Sequence, residues 1–428
     1  MFTSTEIILA VMVVTYIIVR ALKISTELSM FAAAVSGALA GGEGIPIRHI
    51  GEGAFTYFDI ILIFITATLF MNLLKQSGGI SFAVRKILIR FHRKKAILFV
   101  LMTFLLLLPG ALTGAGSVTV LIMGGMISIV LSYMGLSRVK ATALIFILAG
   151  LSAAAPPVSL WAMLTAAGIN MPYVGFFLPL LIPCVLLGLV TMFVLAWKSK
   201  PVDLKKALKE LPEPPGEMNW IRVSLPFAAF FLLVFAGRAW PHSSPILGLP
   251  MMFMVSAGLS FVLSPAKLNF LKISRDTIHQ LLPLIGTLTC VGILVQIMTL
   301  TGVRGLIAIT TVTLPLTVVI LTMPLVLPVS EAVLMWGAAP VLGVPLVLLF
   351  NTIGLNPIVA LAGMSLIWPL GDALPPTAII GRLAKETVQM KKPYPRMLKH
   401  CLIPALIIMV VGILMIVFSK KLGFLTML

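Results

Sequence analysis

Charge is what this 428-residue chain has least of: 10% of its residues are charged and 60% are hydrophobic. Soluble domains carry about 25% charged residues, so a water-soluble globule is excluded. Acids are the scarcer sign, 13 against 31 Lys and Arg, which leaves a net charge of +18. That excess does not indicate nucleic acid as a partner. The basic residues lie in loops between apolar runs, as the positive-inside rule places them, and there is no soluble basic domain to sit on a duplex. Cysteine is nearly absent: Cys184, Cys290 and Cys401 fall in apolar runs without metal-ligand spacing and read as small core hydrophobes. Histidine is as sparse. His49, His92, His242, His279 and His400 fall in loops or at interfaces, never at helical spacing with an acid. HExxH, GxSxG and a P-loop with its lysine are all missing, which argues against an intramembrane protease, an ATP-driven pump or any other enzyme.

What remains is apolar sequence in membrane-spanning lengths, roughly 20 residues each. Clear spans fall at 5–22, 26–42, 57–75, 174–197, 222–238, 247–264, 281–300 and 400–419. This is an all-α polytopic protein of the cell (inner) membrane, with the lipid bilayer as its solvent. Its N-terminal run has no basic n-region or small-residue cleavage site and reads as a retained helix. The one good linker is polar and proline-rich, 198–221, dividing a first half (1–197) from a second (222–428). "VRKILIRFHRKK" (84–95) suits an amphipathic surface helix or a solvated loop.

Three segments are interrupted by Pro and Gly. The first, 96–133, has basic residues on both flanks, Arg93–Lys95 and Arg138 with Lys140, so it enters and leaves on one side as a re-entrant hairpin with its tip in "LPGALTGAG" (108–116). The second, 138–168, crosses as a broken helix. The third, from 307 to about 385, divides into a hairpin at 307–350 and a broken helix at 355–385.

The interruptions repeat. Pro109 and Pro328, Gly135 and Gly354, and Pro156 and Pro375 are each 219 residues apart (328 − 109 = 354 − 135 = 375 − 156). "LLKQSGG" and "IMTLTGV" match at 224 (302 − 78), which requires a five-residue indel. Each half then has about five spanning helices, a hairpin and a Pro-broken helix. An odd number of crossings makes the halves two inverted-topology repeats, the plan of secondary transporters.

Broken helices are tolerated in a membrane only where buried in protein or lining a wet cavity. Their free N–H ends suit anions, and their free carbonyls suit Na⁺. Four breaks are therefore the candidate site. Thr113, Gly114, Gly116 and Ser117 in the first hairpin, Pro156, Pro157 and Ser159 in the first broken helix, and Pro375, Pro376 and Thr377 in the second are candidates to bind substrate. Gly114, Ser117, Ser152, Ser330, Glu331 and Asp372 are candidates for a cation. Glu331 is costly in an apolar setting, hence functional by default or else hydrogen-bonded across helices. Asp372 is the only other acid this deep, and it could simply cap the helix restarting near Pro375. Asn351 and Asn356 orient the second broken helix or sit at an interface; Asn72 and Lys75 read as interfacial anchors. No arginine stands near the tips in sequence to hold a second carboxylate. The first tip is the favoured Na⁺ and substrate cradle.

"TLFMNLLKQSGGISFAVRKILIRF", "ALTGAGSVTVLIMGGMI…GLSRVKATALIFILAGLSAAAPPVSLWAM", "PVSEAVLMWGAAPVLG" and "GDALPPTAIIG" resemble the large membrane subunit of TRAP transporters over most of residues 60–390. The resemblance implies an elevator-type permease of the ion transporter superfamily that imports an organic anion, typically a carboxylate. It implies Na⁺ (or H⁺ in its place) as coupling ion, no covalent cofactor, and as partners a small membrane subunit and a periplasmic or extracellular binding protein. Three features depart from the family: Val158 intervenes before Ser159, Glu331 stands near where aspartate is common, and 340–368 is longer and richer in proline. A stand-alone divalent-anion/Na⁺ symporter, a cation/proton antiporter and a non-transporting subunit are the alternatives.

Overall fold

The computed structural model describes residues 4–240 and 247–427, so the expectation for His242 falls outside the described residues. Among the described residues, nine helical stretches are long and apolar enough to cross a membrane. The chain is an all-helical, polytopic membrane protein. In the first half, α1 (Ser4–Ala21) pairs with α2 (Thr26–Ala40), α3 (Ile47–Phe55) leads into α4 (Phe58–Gln76), and α5 (Gly79–Phe91) is a short arm. α6 (Lys95–Thr113) turns back through α7 (Gly116–Thr119), a π-turn (Val120–Gly124) and α8 (Gly125–Tyr133). α9 (Arg138–Ala154) breaks at the Pro pair, α10 (Leu160–Gly168) restarts, and α11 (Phe177–Ala196) ends the half. The linker is not loose. It holds α12 (Leu204–Glu210), whose last carbonyls at Leu208 and Leu211 each accept from Arg85 Nη1 at 2.8 Å. α5 is thus a helix with its apolar face (Ile80, Phe82, Val84, Leu88) buried in protein.

The second half repeats this order: α13 (Trp220–Ala239), α14 (Leu249–Val262), α15 (Phe270–Leu300), then the arm α16 (Val303–Thr313). α17 (Leu316–Leu334) turns back through a 3₁₀ turn (Met335–Gly337), a π-turn (Ala339–Gly343) and α18 (Val344–Thr352). α19 (Pro357–Ile367) runs into a 3₁₀ turn (Trp368–Ala373), α20 (Ile379–Thr387) restarts, and α21 (Tyr394–Val417) follows. The second hairpin therefore starts at 316, not 307. Residues 307–313 belong to α16, the counterpart of α5, and the chain leaves that helix at Leu314–Pro315, where proline disfavours continuation.

The 219-residue offset holds at the level of elements. Both π-turns (120–124 and 339–343), α8 and α18, and α10 and α20 coincide end for end (339 − 120 = 344 − 125 = 379 − 160 = 219). Gly135 and Gly354 share φ near +77°, and Gly78 and Gly302, which open the two arms, have φ +84° and +78°. Glycine has no Cβ to oppose that left-handed turn. Contacts are also exchanged between halves: beside the pairs α9–α11 and α19–α21 within each half, α9 lies against α21 and α11 against α19. Such reciprocal contacts are what a pseudo-two-fold axis produces, as in the inverted repeats of transporters. α9, buried at every position but Arg138 and Lys140, is rich in Ala, Gly and Ser, small residues that let helix backbones approach closely.

Candidate functional site

At the first break, Pro109 cannot donate a backbone bond, and α6 ends four residues later. Gly114 (φ +67°) reverses the chain, and α7 restarts at Gly116. Small residues let this tip settle on α9. A Cβ on Gly110 would run into Ser152 Oγ, and one on Gly116 would stand 2.6 Å from the Ala149 carbonyl. The hydroxyls are taken up locally. Thr113 Oγ1 donates to Pro109 O (2.7 Å), Ser152 Oγ donates to Ala149 O (2.7 Å), and Thr119 Oγ1 lies 2.8 Å from Ser152 Oγ. Val158 N donates to Ala111 O (3.0 Å), which ties the first Pro-Pro segment to the hairpin. Thr113, Gly114, Gly116, Ser152, Pro156 and Ser159 are buried together there, with Ser117 and Pro157 partly exposed.

At the second break, α17 ends at Leu334 and Met335 takes the positive φ (+53°). The 3₁₀ turn of the second broken helix lies directly on it. A Cβ on Gly371 would meet Pro328 O and stand 2.6 Å from Glu331 Cβ. Thr377 Oγ1 donates to Ala332 O (2.9 Å), and Ser330 Oγ donates back to Leu327 O (2.8 Å). Glu331 and Asp372 are at most 1% exposed, and both Glu331 oxygens and Asp372 Oδ2 have no hydrogen-bond partner. Asp372 does not cap α20, whose N-cap is Ala378.

The exchange between halves brings the four breaks together. α7 packs on α20, with Gly116 facing Ile380. α10 packs on the second hairpin, where Thr165 Oγ1 donates to Ala339 O (3.2 Å). Trp161 of α10 points its indole N–H at Glu331, close enough to act on its charge, though short of a formed hydrogen bond. The restart helices are held at both C-termini by arginines from other elements: Arg304 on Gly168 O (2.6 Å) and Arg138 on Gln389 O (3.0 Å). Cations are favoured at that end of a helix.

Of thirteen buried side-chain polar atoms without a partner among the described residues, six are in these breaks. They belong to Ser159, Trp161, Glu331 (two), Trp368 and Asp372. Unpaired buried polar groups are rare in folded proteins, and a bound water, ion or ligand is among the things that account for them. The predicted cation residues divide. Gly114, Ser117 and Ser152 stand at the first break; Ser330, Glu331 and Asp372 stand at the second. Among the described residues no hydrogen bond links the two sets. No group of three His, Cys, Asp or Glu that could hold a metal ion occurs among the described residues.

Several residues of this region went unnoticed in the sequence. Trp161 and Trp368 look like core filler, although an indole N–H in apolar surroundings demands a partner. Arg382, far from the tips in sequence, donates to Pro376 O (3.3 Å) and lines a cavity of about 330 Å³ with Pro375, Ala378, Lys385, Glu386 and Tyr394. An arginine does stand at a break. Asn72 and Lys75, at the C-terminal end of α4, also tie that helix to its neighbours. Asn72 Nδ2 donates to Thr277 Oγ1 (2.9 Å) on α15, and Lys75 Nζ donates to Leu121 O (2.8 Å) in the first π-turn. Asn356 caps α19 by accepting from Ile358 N and Val359 N, while Asn351 is exposed.

No protein-family model matches the chain, and no curated protein matches it. Solved structures do. The Alcanivorax borkumensis YdaH transporter is similar with a TM-score of 0.58 at 14% identity, over 87% of this chain and 88% of its own. Neisseria gonorrhoeae MtrF, described as illuminating a class of antimetabolite efflux pumps, is similar with a TM-score of 0.56 at 13% identity, over 85% of this chain and 83% of its own. At that identity the likeness is one of fold: the chain has the fold of membrane transporters.

Proposed function

We propose that the chain is a secondary active transporter whose substrate, an organic anion and most simply a carboxylate, binds where the four breaks meet. The observation that carries this reading is that each hairpin packs on the restart helix of the other half, around six unpaired buried polar atoms of the second hairpin and the two broken helices. The first tip offers glycine backbone and a restarting helix, which suit an anion. Arg382 beside the second Pro-Pro offers the cation that the tips lack. The resemblance to TRAP large subunits adds import, Na⁺ coupling, an elevator movement of the hairpins against a scaffold, and help from a small subunit and a binding protein. The acids of the second break favour a second reading, in which H⁺ takes the place of Na⁺.

Uptake into proteoliposomes over a panel of mono-, di- and tricarboxylates, with Na⁺ or pH gradients imposed, tests the reading. Thr113→Val, Ser117→Ala and Glu331→Gln should each remove the gradient-driven signal while the protein still inserts. Unaltered uptake in all three would sink the site assignment. Uptake only after a small membrane subunit and a binding protein are added would favour the TRAP arrangement over a stand-alone symporter.

A further inference from the structure

Glu331 and Asp372 come from different elements, α17 and the 3₁₀ turn after α19. Gly371, beside Asp372, lets the two backbones touch at Pro328 and Glu331 and so brings the acids into one place. Both are buried, and three of their four oxygens lack any partner. No cation is bonded to them, and each neighbouring element offers little charge. α19 has no ionisable side chain, and α9 has only Arg138 and Lys140 at its far end. α20 brings Arg382, which is exposed and tied to Pro376 O, and Lys385 and Glu386 at its outer end. α21 brings Tyr394 and Cys401. Tyr394 lies within electrostatic reach of Asp372 and of Arg382, but its hydroxyl donates to Ala373 O (2.8 Å). α10 brings Trp161. The corresponding positions of the first half, Leu112 and Ala153, carry no acid (331 − 219 = 112; 372 − 219 = 153).

Two carboxylates cannot both stay charged in so dry a site without a compensating cation. We propose that Glu331 and Asp372 form the single proton-carrying site of the transporter, with Trp161 as the positioning residue that reports its state to the other half. This deepens the reading of the chain as a transporter and rests on it. In each cycle one carboxylate of the pair takes a proton from one side of the membrane, becoming a neutral carboxyl, and returns it to the other. The ionised form draws the Trp161 N–H and the neutral form releases it. Trp161 lies in the first turn of α10, four residues after the first Pro-Pro break, so loading of the second half reaches the substrate side of the first.

The test is infrared spectroscopy of the full chain in lipid vesicles, stepped in pH without substrate. Wild type should show a buried protonated-carboxyl band. Glu331→Gln and Asp372→Asn should each lose or shift it, and the double variant should lack it. A wild type without the band, or a double variant that keeps it, overturns the proposal. A further readout on wild type alone covers variants that do not fold. Adding NaCl at constant pH should leave the band in place; its loss would make the pair a Na⁺ site and overturn the proton assignment. Trp161→Phe should shift the band and remove a pH-dependent part of the tryptophan fluorescence. No change in either would overturn the role of Trp161. Because no substrate is used, failure of carboxylate uptake leaves these results standing. Uptake driven by Na⁺ alone, with no carboxyl signal, defeats this inference and not transport.

Discussion

The two hairpins share a backbone and differ in chemistry. Their π-turns and returning helices coincide residue for residue at an offset of 219, yet the first tip is built of Gly110, Gly114 and Gly116 and the second of Met335, Trp336 and an acid. The first pairs its threonine hydroxyls within itself and on α9. The second leaves the carboxyl of Glu331 unpaired. A fold repeated twice keeps its breaks because helix ends make the cavity, while side chains at equivalent positions are free to take different roles. One half is arranged to present backbone, the other to hold charge.

Moving the acid should break the comparison most severely. Leu112, the counterpart of Glu331, is 1% exposed among apolar neighbours and has Ala153 where Glu331 has Asp372. Leu112→Glu should cost roughly 3 kcal/mol or more, the scale for a charged group at the middle of a membrane helix. Thermal unfolding in detergent should show a large drop. Glu331→Leu, the mirror change, removes an unpaired buried acid and should unfold no earlier than wild type while losing coupled transport. Equal damage from both would mean that the halves are not specialised.

Glycine contacts come next. Gly371→Ala places a methyl against the Pro328 carbonyl, backbone that cannot rotate away, and should cost about 2–3 kcal/mol by overpacking. Gly110→Ala meets the Ser152 hydroxyl, which can turn, but also Ser152 Cβ at 2.7 Å and its backbone carbon at 2.9 Å, and should cost somewhat less, about 1–2 kcal/mol. The ratio is read from unfolding of the two variants under one condition. A larger loss at Gly110 would place the tighter hairpin in the first half.

Much of this was legible in the sequence, and the exceptions have physical causes. The first hairpin was bounded at 96–133 against an observed 95–133, because basic residues flank it on both sides. The second begins nine residues later than the sequence suggests, because α16 is apolar and its only cation, Arg304, lies in its first turn. The four breaks were found because Pro and Gly interrupt apolar runs. Their convergence was not, since a repeat offset says which segments are equivalent and not which segment of one half lies on which of the other. Trp161 meeting Glu331 is a contact of that exchanged kind. The partners of Asn72 are of the same kind: Thr277 and Gln280 lie on another helix more than 200 positions away.

The smallest expected effects compare two caps at equivalent places. Ser137 and Asn356 are 219 residues apart (356 − 137) and precede α9 and α19, the two helices that carry the breaks. Ser137 accepts one long bond, from Lys140 N at 3.4 Å. Asn356 accepts two, from Ile358 N at 3.0 Å and Val359 N at 3.1 Å, ahead of a proline whose missing N–H needs no partner. Replacing a capping side chain by alanine costs typically about 1 kcal/mol. Asn356→Ala should reach that figure, and Ser137→Ala should cost about half of it. The measurement is the shift in unfolding midpoint for each variant in the same detergent. If Ser137→Ala is the more damaging, the caps do not follow the bonds they make, and α9 depends on its first turn more than its burial along the whole length implies. If the order holds, the second broken helix is the more tightly pinned at its start, as an element should be when it must present Asp372 to Glu331 in a fixed position.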